Sequence, residues 1–142
     1  MRKAILMMLL AAISHSATAE WIDAGHNSDF TAYTDPSTVH RSGDRIRMLS
    51  LVDHKAAMEK AGRTFFSVKA EHEYDCKKAQ ARILFSSAHS GNMGKGTIVF
   101  SNYSPGIFEP VLPRSIVAAL WSAACGGNPP ARQAQQATAV RR

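Results

Sequence analysis

Between Thr64 and Cys76 the chain alternates without a break: Phe66, Val68, Ala70, His72, Tyr74 and Cys76 make one set, Phe65, Ser67, Lys69, Glu71, Glu73 and Asp75 the other. A two-residue period places each set on its own side of an extended strand, so this stretch predicts a strand with one buried and one wetted face. Shorter patterns predict further strands at Trp21–Gly25, Phe30–Thr34, Thr38–Arg41, Arg45–Asp53, Ala79–Ala88 and Gly96–Ser101. Arg45–Asp53 carries aliphatic residues on both sides in its second half, which places it inside a sheet or under a cover. In Ala79–Ala88, strict alternation puts Ala81, Ile83 and Phe85 on one side.

The punctuation between these runs is polar. Asp35-Pro36-Ser37 is expected to end the second strand, because proline fixes its backbone angle and offers no N–H to a ladder. Lys55–Ala61 holds strong helix formers but is too short to be a helix alone; closed by Gly62, it predicts a long hairpin connection with local helicity. His89–Lys95 reads as a glycine-bearing turn. Tyr103–Arg114, with Pro105, Pro110 and Pro113, reads as a crossing loop. Ser115–Cys125 predicts the one helix of the mature chain, with Ser115 as N-cap, a stripe of Val117, Leu120, Trp121 and Ala124, and Gly126-Gly127 as the stop. Too short to stand alone, it must lie on the sheet. Short turns between successive strands make that sheet antiparallel and the fold class α+β.

The ends differ from the middle. Arg2 and Lys3, the apolar run Ala4–Ile13 and the triplet Ala17-Thr18-Ala19 predict a signal peptide over residues 1–19, cut between Ala19 and Glu20. The apolar run falls short of the roughly 20 residues a membrane helix needs, so no transmembrane segment is expected in the mature chain. No cysteine lies near the cut, so the chain is expected to be exported without a lipid anchor, to the periplasm or cell surface. Residues 20–127 form one domain, and 128–142 lack a core-forming pattern and are expected to be disordered. The net charge is +6, but Arg2 and Lys3 lie in the leader and Arg132, Arg141 and Arg142 in the tail, leaving the globular part nearly neutral. That argues against nucleic acid as a partner.

The two cysteines, Cys76 and Cys125, both fall in the mature part, and an oxidising destination makes a disulfide between them the leading assignment. Closing a loop of roughly fifty residues is worth about 4 kcal/mol in the chain-entropy model. Two separated thiols do not complete a metal site. His26, His40, His54, His72 and His89 have no ligand spacing, and His72, beside Tyr74, reads as a partly buried core histidine. Glu71, Glu73 and Asp75 lie about 7 Å apart along one side of the strand, within the range of glycosidase carboxylate pairs. The favoured reading is a solvated acidic face paired across the ladder with Lys78 or Arg82. Ser90–Thr97 imitates a phosphate-binding loop but fails on spacing: His89 stands where the first glycine belongs, and Gly96 follows Lys95. No serine sits in a nucleophile elbow. No catalytic residue, cofactor or metal is predicted.

The order of Trp21, Tyr33-Thr34-Asp35-Pro36-Ser37-Thr38-Val39, Arg45–Asp53, Ser67–Cys76, Arg82, Met93-Gly94 with Gly96, and Pro113-Arg114-Ser115 before the helix ending in Ala124-Cys125 resembles the surface-adhesin protein E-like domain of Gram-negative bacteria. The resemblance implies a bent antiparallel sheet of about six strands, with a C-terminal helix on its concave side tied by a disulfide, and places Cys76 and Cys125 at the family's cysteines. It also implies a non-enzymatic, adhesin-like protein-binding module, because the adhesin that names the family binds host matrix and plasma proteins. The partner, an envelope protein or a host matrix or plasma protein, is not identified, and no motif assigns binding residues. Two departures stand out: that adhesin is lipid-anchored, and Phe108 stands where the family often shows Trp. The rival readings are a periplasmic structural or assembly factor and, more remotely, an envelope hydrolase using Glu71, Glu73 or His72.

Overall fold

The computed structural model describes residues 18–129. Residues 1–17 of the expected signal peptide and 130–142 of the expected tail lie outside the described residues. Ala19 and Glu20 are exposed and belong to no strand or helix. The elements are β1 (Ile22–His26), β2 (Phe30–Ser42), β3 (Arg45–Lys60), β4 (Arg63–Asp75), β5 (Gln80–His89), β6 (Ile98–Asn102), β7 (Glu109–Pro110) and α1 (Ile116–Cys125). Strands β1 to β6 lie in chain order, each antiparallel to the next, and β7 adds a short pairing to β5. This is the open antiparallel sheet expected from short turns.

The helix closes one side of the sheet. Ser115 caps it as expected, its hydroxyl accepting from the Ala118 N–H at 3.1 Å, and Gly126 takes a positive φ of 74° just past its end. Its buried residues are Ala118, Leu120, Trp121 and Ala124, with Val117 partly buried. They pack on Ala32, Ile46, Met48, Tyr74 and Ala81 of the sheet. Burying a side chain the size of Leu120 stabilises the fold by about 2 kcal/mol. A Cβ on Gly25 would stand 3.2 Å from the Ala119 Cβ, so this glycine lets the helix approach β1 closely. The Cys76–Cys125 disulfide joins the end of β4 to the end of α1, with Cα atoms 5.6 Å apart. Beside it the Trp121 indole donates to the Asp75 carbonyl at 3.3 Å.

Several local expectations are overturned. Strand β2 does not end at Pro36: it runs on through Thr38–Arg41, its register jumping from Asp35 opposite Leu49 to His40 opposite Arg47. The bulge absorbs the proline's missing donor, and the Thr38 hydroxyl accepts the Leu49 N–H at 2.9 Å in the ladder's place. Lys55–Ala61 is not helical, because β3 continues to Lys60 and pairs Met58, Glu59 and Lys60 with Phe65, Thr64 and Arg63. Ala61 and Gly62 close this hairpin with φ of 52° and 71°, the left-handed pair a two-residue turn requires. Cross-strand pairing thus overrides the helix preference of Lys55–Ala61. In β5, Leu84 is an extra residue: Phe85 pairs with Glu71 while Ile83 pairs with His72, so Ile83 and Phe85 do not share a side. The crossing loop supplies β7 and a bond from the Gly106 N–H to the Ile83 carbonyl at 2.8 Å.

The face of β4 expected to be wet is largely covered. Phe65, Ser67, Glu73 and Asp75 are buried. Near Ser67 the cover is the segment from Ser90 to Gly96, which includes a single 3-10 turn at Asn92–Gly94. Ser67 donates to the Gly91 carbonyl at 2.6 Å and accepts the Gly94 N–H at 2.9 Å, while Asp53 accepts the Met93 N–H at 2.7 Å. Gly94, at a φ of 68°, leaves the place a Cβ would take to the Lys69 side chain. Among the described residues no helix is long and apolar enough to cross a membrane.

Candidate functional site

Charged side chains converge at the end of the sheet formed by the start of β3, the end of β4 and the start of β5. Glu73 is 5 % exposed and stands opposite Arg47 on one side and Arg82 on the other. Arg82 holds one Glu73 oxygen with Nε at 2.7 Å and Nη2 at 2.6 Å, and Arg45 approaches the other at 4.0 Å. The Arg45 and Arg82 guanidiniums lie 4.8 and 4.6 Å from the centroid of the Phe108 ring. Phe108 thereby fastens the 103–112 loop over the pair, through cation–π contact that strengthens as water is excluded. Of the two partners expected across the ladder, Arg82 is the one used. Lys78 serves differently: its N–H and that of Lys77 donate to Asp75 Oδ1 at 2.8 and 3.1 Å, shaping the corner before β5.

On the helix side, His72 is 7 % exposed and stacks on Tyr74 with ring centroids 5.6 Å apart. Its Nδ1 lies 3.0 Å from Ser50 Oγ, which also donates to the Ala70 carbonyl at 3.2 Å. Burial pushes the imidazole pKa down to about 4, so the ring is neutral at physiological pH. Burial raises the Tyr74 phenol in the same way, and its hydroxyl has no hydrogen-bond partner among the described residues. His72 forms part of a cleft of about 430 Å³ between α1, β5 and the 106–112 loop, bordered by Ile83, Ile107, Leu112 and Val117.

The remaining candidates lie apart. His26 pairs with Asp23 at 3.0 Å on the surface, and His40 is exposed. His54 sits between the Phe30 and Phe65 rings, its pKa lowered by burial against the opposing pull of Asp53. His89 lies 2.9 Å from Ser87 Oγ, its pKa lowered first by burial and then by Lys69. Among the described residues no group of His, Cys, Asp and Glu side chains is arranged to hold a metal ion. In the Glu71, Glu73 and Asp75 row, the buried Glu73 has its oxygens engaged by guanidiniums and the buried Asp75 has Oδ1 engaged by backbone amides, whereas Glu71 is partly exposed. The residues missed from sequence are Arg45 and Phe108. Arg45 is signalled only by its place diagonal to Glu73, and Phe108 lies in a proline-rich stretch with no period to read.

A meandering antiparallel sheet with a helix held against it by a disulfide defines a small disulfide-tied α+β domain. Residues 21–126 match the surface-adhesin protein E family, and the chain belongs to that family. No curated protein matches it. Solved structures of Haemophilus influenzae protein E share the fold. Its crystal form II superposes with a TM-score of 0.55 at 10% identity, covering 72% of this chain and 91% of that one. Protein E from non-typeable Haemophilus influenzae gives 0.51 at 9% identity, covering 89% and 92%. At such identity the likeness is one of fold.

Proposed function

We propose that the chain is exported, cut between Ala19 and Glu20, and that residues 20–127 act in the envelope as a non-enzymatic, adhesin-like protein-binding module, at the surface or in the periplasm, without a lipid anchor. The observation that carries this reading is the family match over residues 21–126. The distribution of exposed apolar side chains supports it. Tyr103 and Ile107 are 71% and 80% exposed on the loop beside β5, and Ile98 is 58% exposed on β6. Strand β6 ends the strand order, so one edge faces outward, and an antiparallel edge accepts a partner strand through its backbone groups. The hydrolase alternative draws little support from Glu73, which is held by Arg82, or from His72, whose Nδ1 is engaged by Ser50.

The test is capture. The protein recovered from cells expressing the full chain is immobilised and probed with host matrix and plasma proteins and, separately, with bacterial envelope extract. A saturable host partner supports the adhesin reading, and a partner in envelope extract alone supports the structural or assembly reading. Saturable capture from neither pool would sink the binding reading.

A further inference from the structure

The near neutrality of the domain conceals a division between inside and outside. Among the described residues Asp35, Glu73 and Asp75 are buried, whereas no Lys or Arg is. The surface is therefore more basic than the total charge implies, and the strand register shows where. Arg47 and Arg82 flank Glu73 in one rung, and Arg45 stands opposite Asp75 in the next. Lys77 and Lys78 are exposed on the adjoining corner, where Asp75 holds their backbone amides. The exposed acids at this end are Asp44 and Glu109, and the partly buried Glu71 lies two residues along β4 from Glu73 on the same side.

We infer that this end of the sheet, formed by Arg45, Arg47, Arg82, Lys77 and Lys78, binds a sulfated polysaccharide. The inference rests on the adhesin reading above, since an exported adhesin meets the sulfated chains of a host matrix. Arg45 and Arg47 lie about 7 Å apart along β3, and Arg47 and Arg82 about 10 Å apart across two strand spacings. That breadth suits an extended polyanion, whereas one small anion would touch only one or two of these groups. Guanidinium forks match the oxygens of a sulfate group. Arg82 has Nε and Nη2 on Glu73 and, with Arg45, rests on Phe108, so it gives up little freedom and offers a sulfate its remaining N–H groups. The same contacts disfavour single-stranded nucleic acid, because two guanidiniums occupy the ring of Phe108 on which a base would stack.

Heparin is the probe, titrated at low and at physiological salt against the protein recovered from cells expressing the full chain. Two variants lose the same charge at opposite ends: Arg47→Gln, Lys77→Gln and Lys78→Gln together, and Lys55→Gln, Lys60→Gln and Lys95→Gln together. The first set should weaken heparin binding by about tenfold or more and the second by less than about twofold, with binding weaker at the higher salt. Fully desulfated heparin should not bind. Absence of heparin binding at low salt, equal losses in the two variants, or equal binding by desulfated heparin or duplex DNA would each overturn the proposal. If the wild type captures a protein partner but does not bind heparin at low salt, this inference fails and the adhesin reading stands. Heparin binding as expected with no protein partner supports this inference and counts against the protein-binding reading.

Discussion

Replacing His72 with Gln removes a group whose protonation the fold resists. In the native domain the ring is stacked on Tyr74, bonded to Ser50 and nearly enclosed, and burial pushes its pKa down to about 4 from an ordinary 6.5. Between those two values the unfolded chain takes up a proton that the folded chain refuses, so stability falls as the pH falls through this window and is complete above it. At about 1.4 kcal/mol per pH unit, His72 costs the fold about 2 kcal/mol at pH 5 and about 3 kcal/mol at pH 4. The lowered pKa values of His54 and His89 act in the same direction, so the difference between proteins isolates His72. Urea denaturation of the wild type and His72→Gln at pH 7 and pH 5 makes the comparison, before most carboxylates titrate. The variant should lose about 2 kcal/mol less than the wild type between the two pH values. Equal losses would refute the assignment of His72 as a buried neutral imidazole.

Cys125→Ser should lower stability by about 4 kcal/mol, given a bond that spans 49 residues, and the wild-type thiols should stay unreactive until a reductant is added; thermal unfolding and thiol titration check both, and two free thiols in the exported protein would contradict them. Phe108→Ala removes the ring beneath Arg45 and Arg82 and should cost about 1 to 2 kcal/mol. Hydrogen exchange at the Gly106 amide, which bonds the Ile83 carbonyl, should accelerate with it, and unchanged protection there would show that Phe108 does not hold the loop. Processing after Ala19 predicts an intact mass beginning at Glu20 for protein taken from the cell envelope, and retention of residues 1–19 would count against export by cleavage.

What the sequence made legible was whatever depends on near neighbours along the chain. The alternation of Thr64–Cys76, the cap at Ser115 and the glycines after Cys125 each carry their own local signal, and β4 and α1 follow from them. Illegible were the places where a distant partner decides. Lys55–Ala61 has the composition of a helix, but Arg63–Phe65 offers it a strand to pair with. Pro36 looks terminal until a bulge gives it a place where no donor is needed. Glu73 reads as solvated because nothing near it in sequence shows that Phe108 will lie over its arginine partners. Net charge failed for a related reason: it does not record that the domain buries carboxylates and leaves its cations outside.

The folded, disulfide-bonded domain is proposed to recognise a macromolecule. The most direct measurement is a binding isotherm of the oxidised protein on surfaces coated with fractionated host matrix and plasma proteins and with envelope proteins, beside the Cys76→Ser, Cys125→Ser double variant. Saturable binding to at least one fraction is expected of the oxidised protein, lost or sharply weakened in the variant that lacks the bond between β4 and α1. Linear, unsaturable signal on every fraction, or equal binding by both proteins, would contradict it.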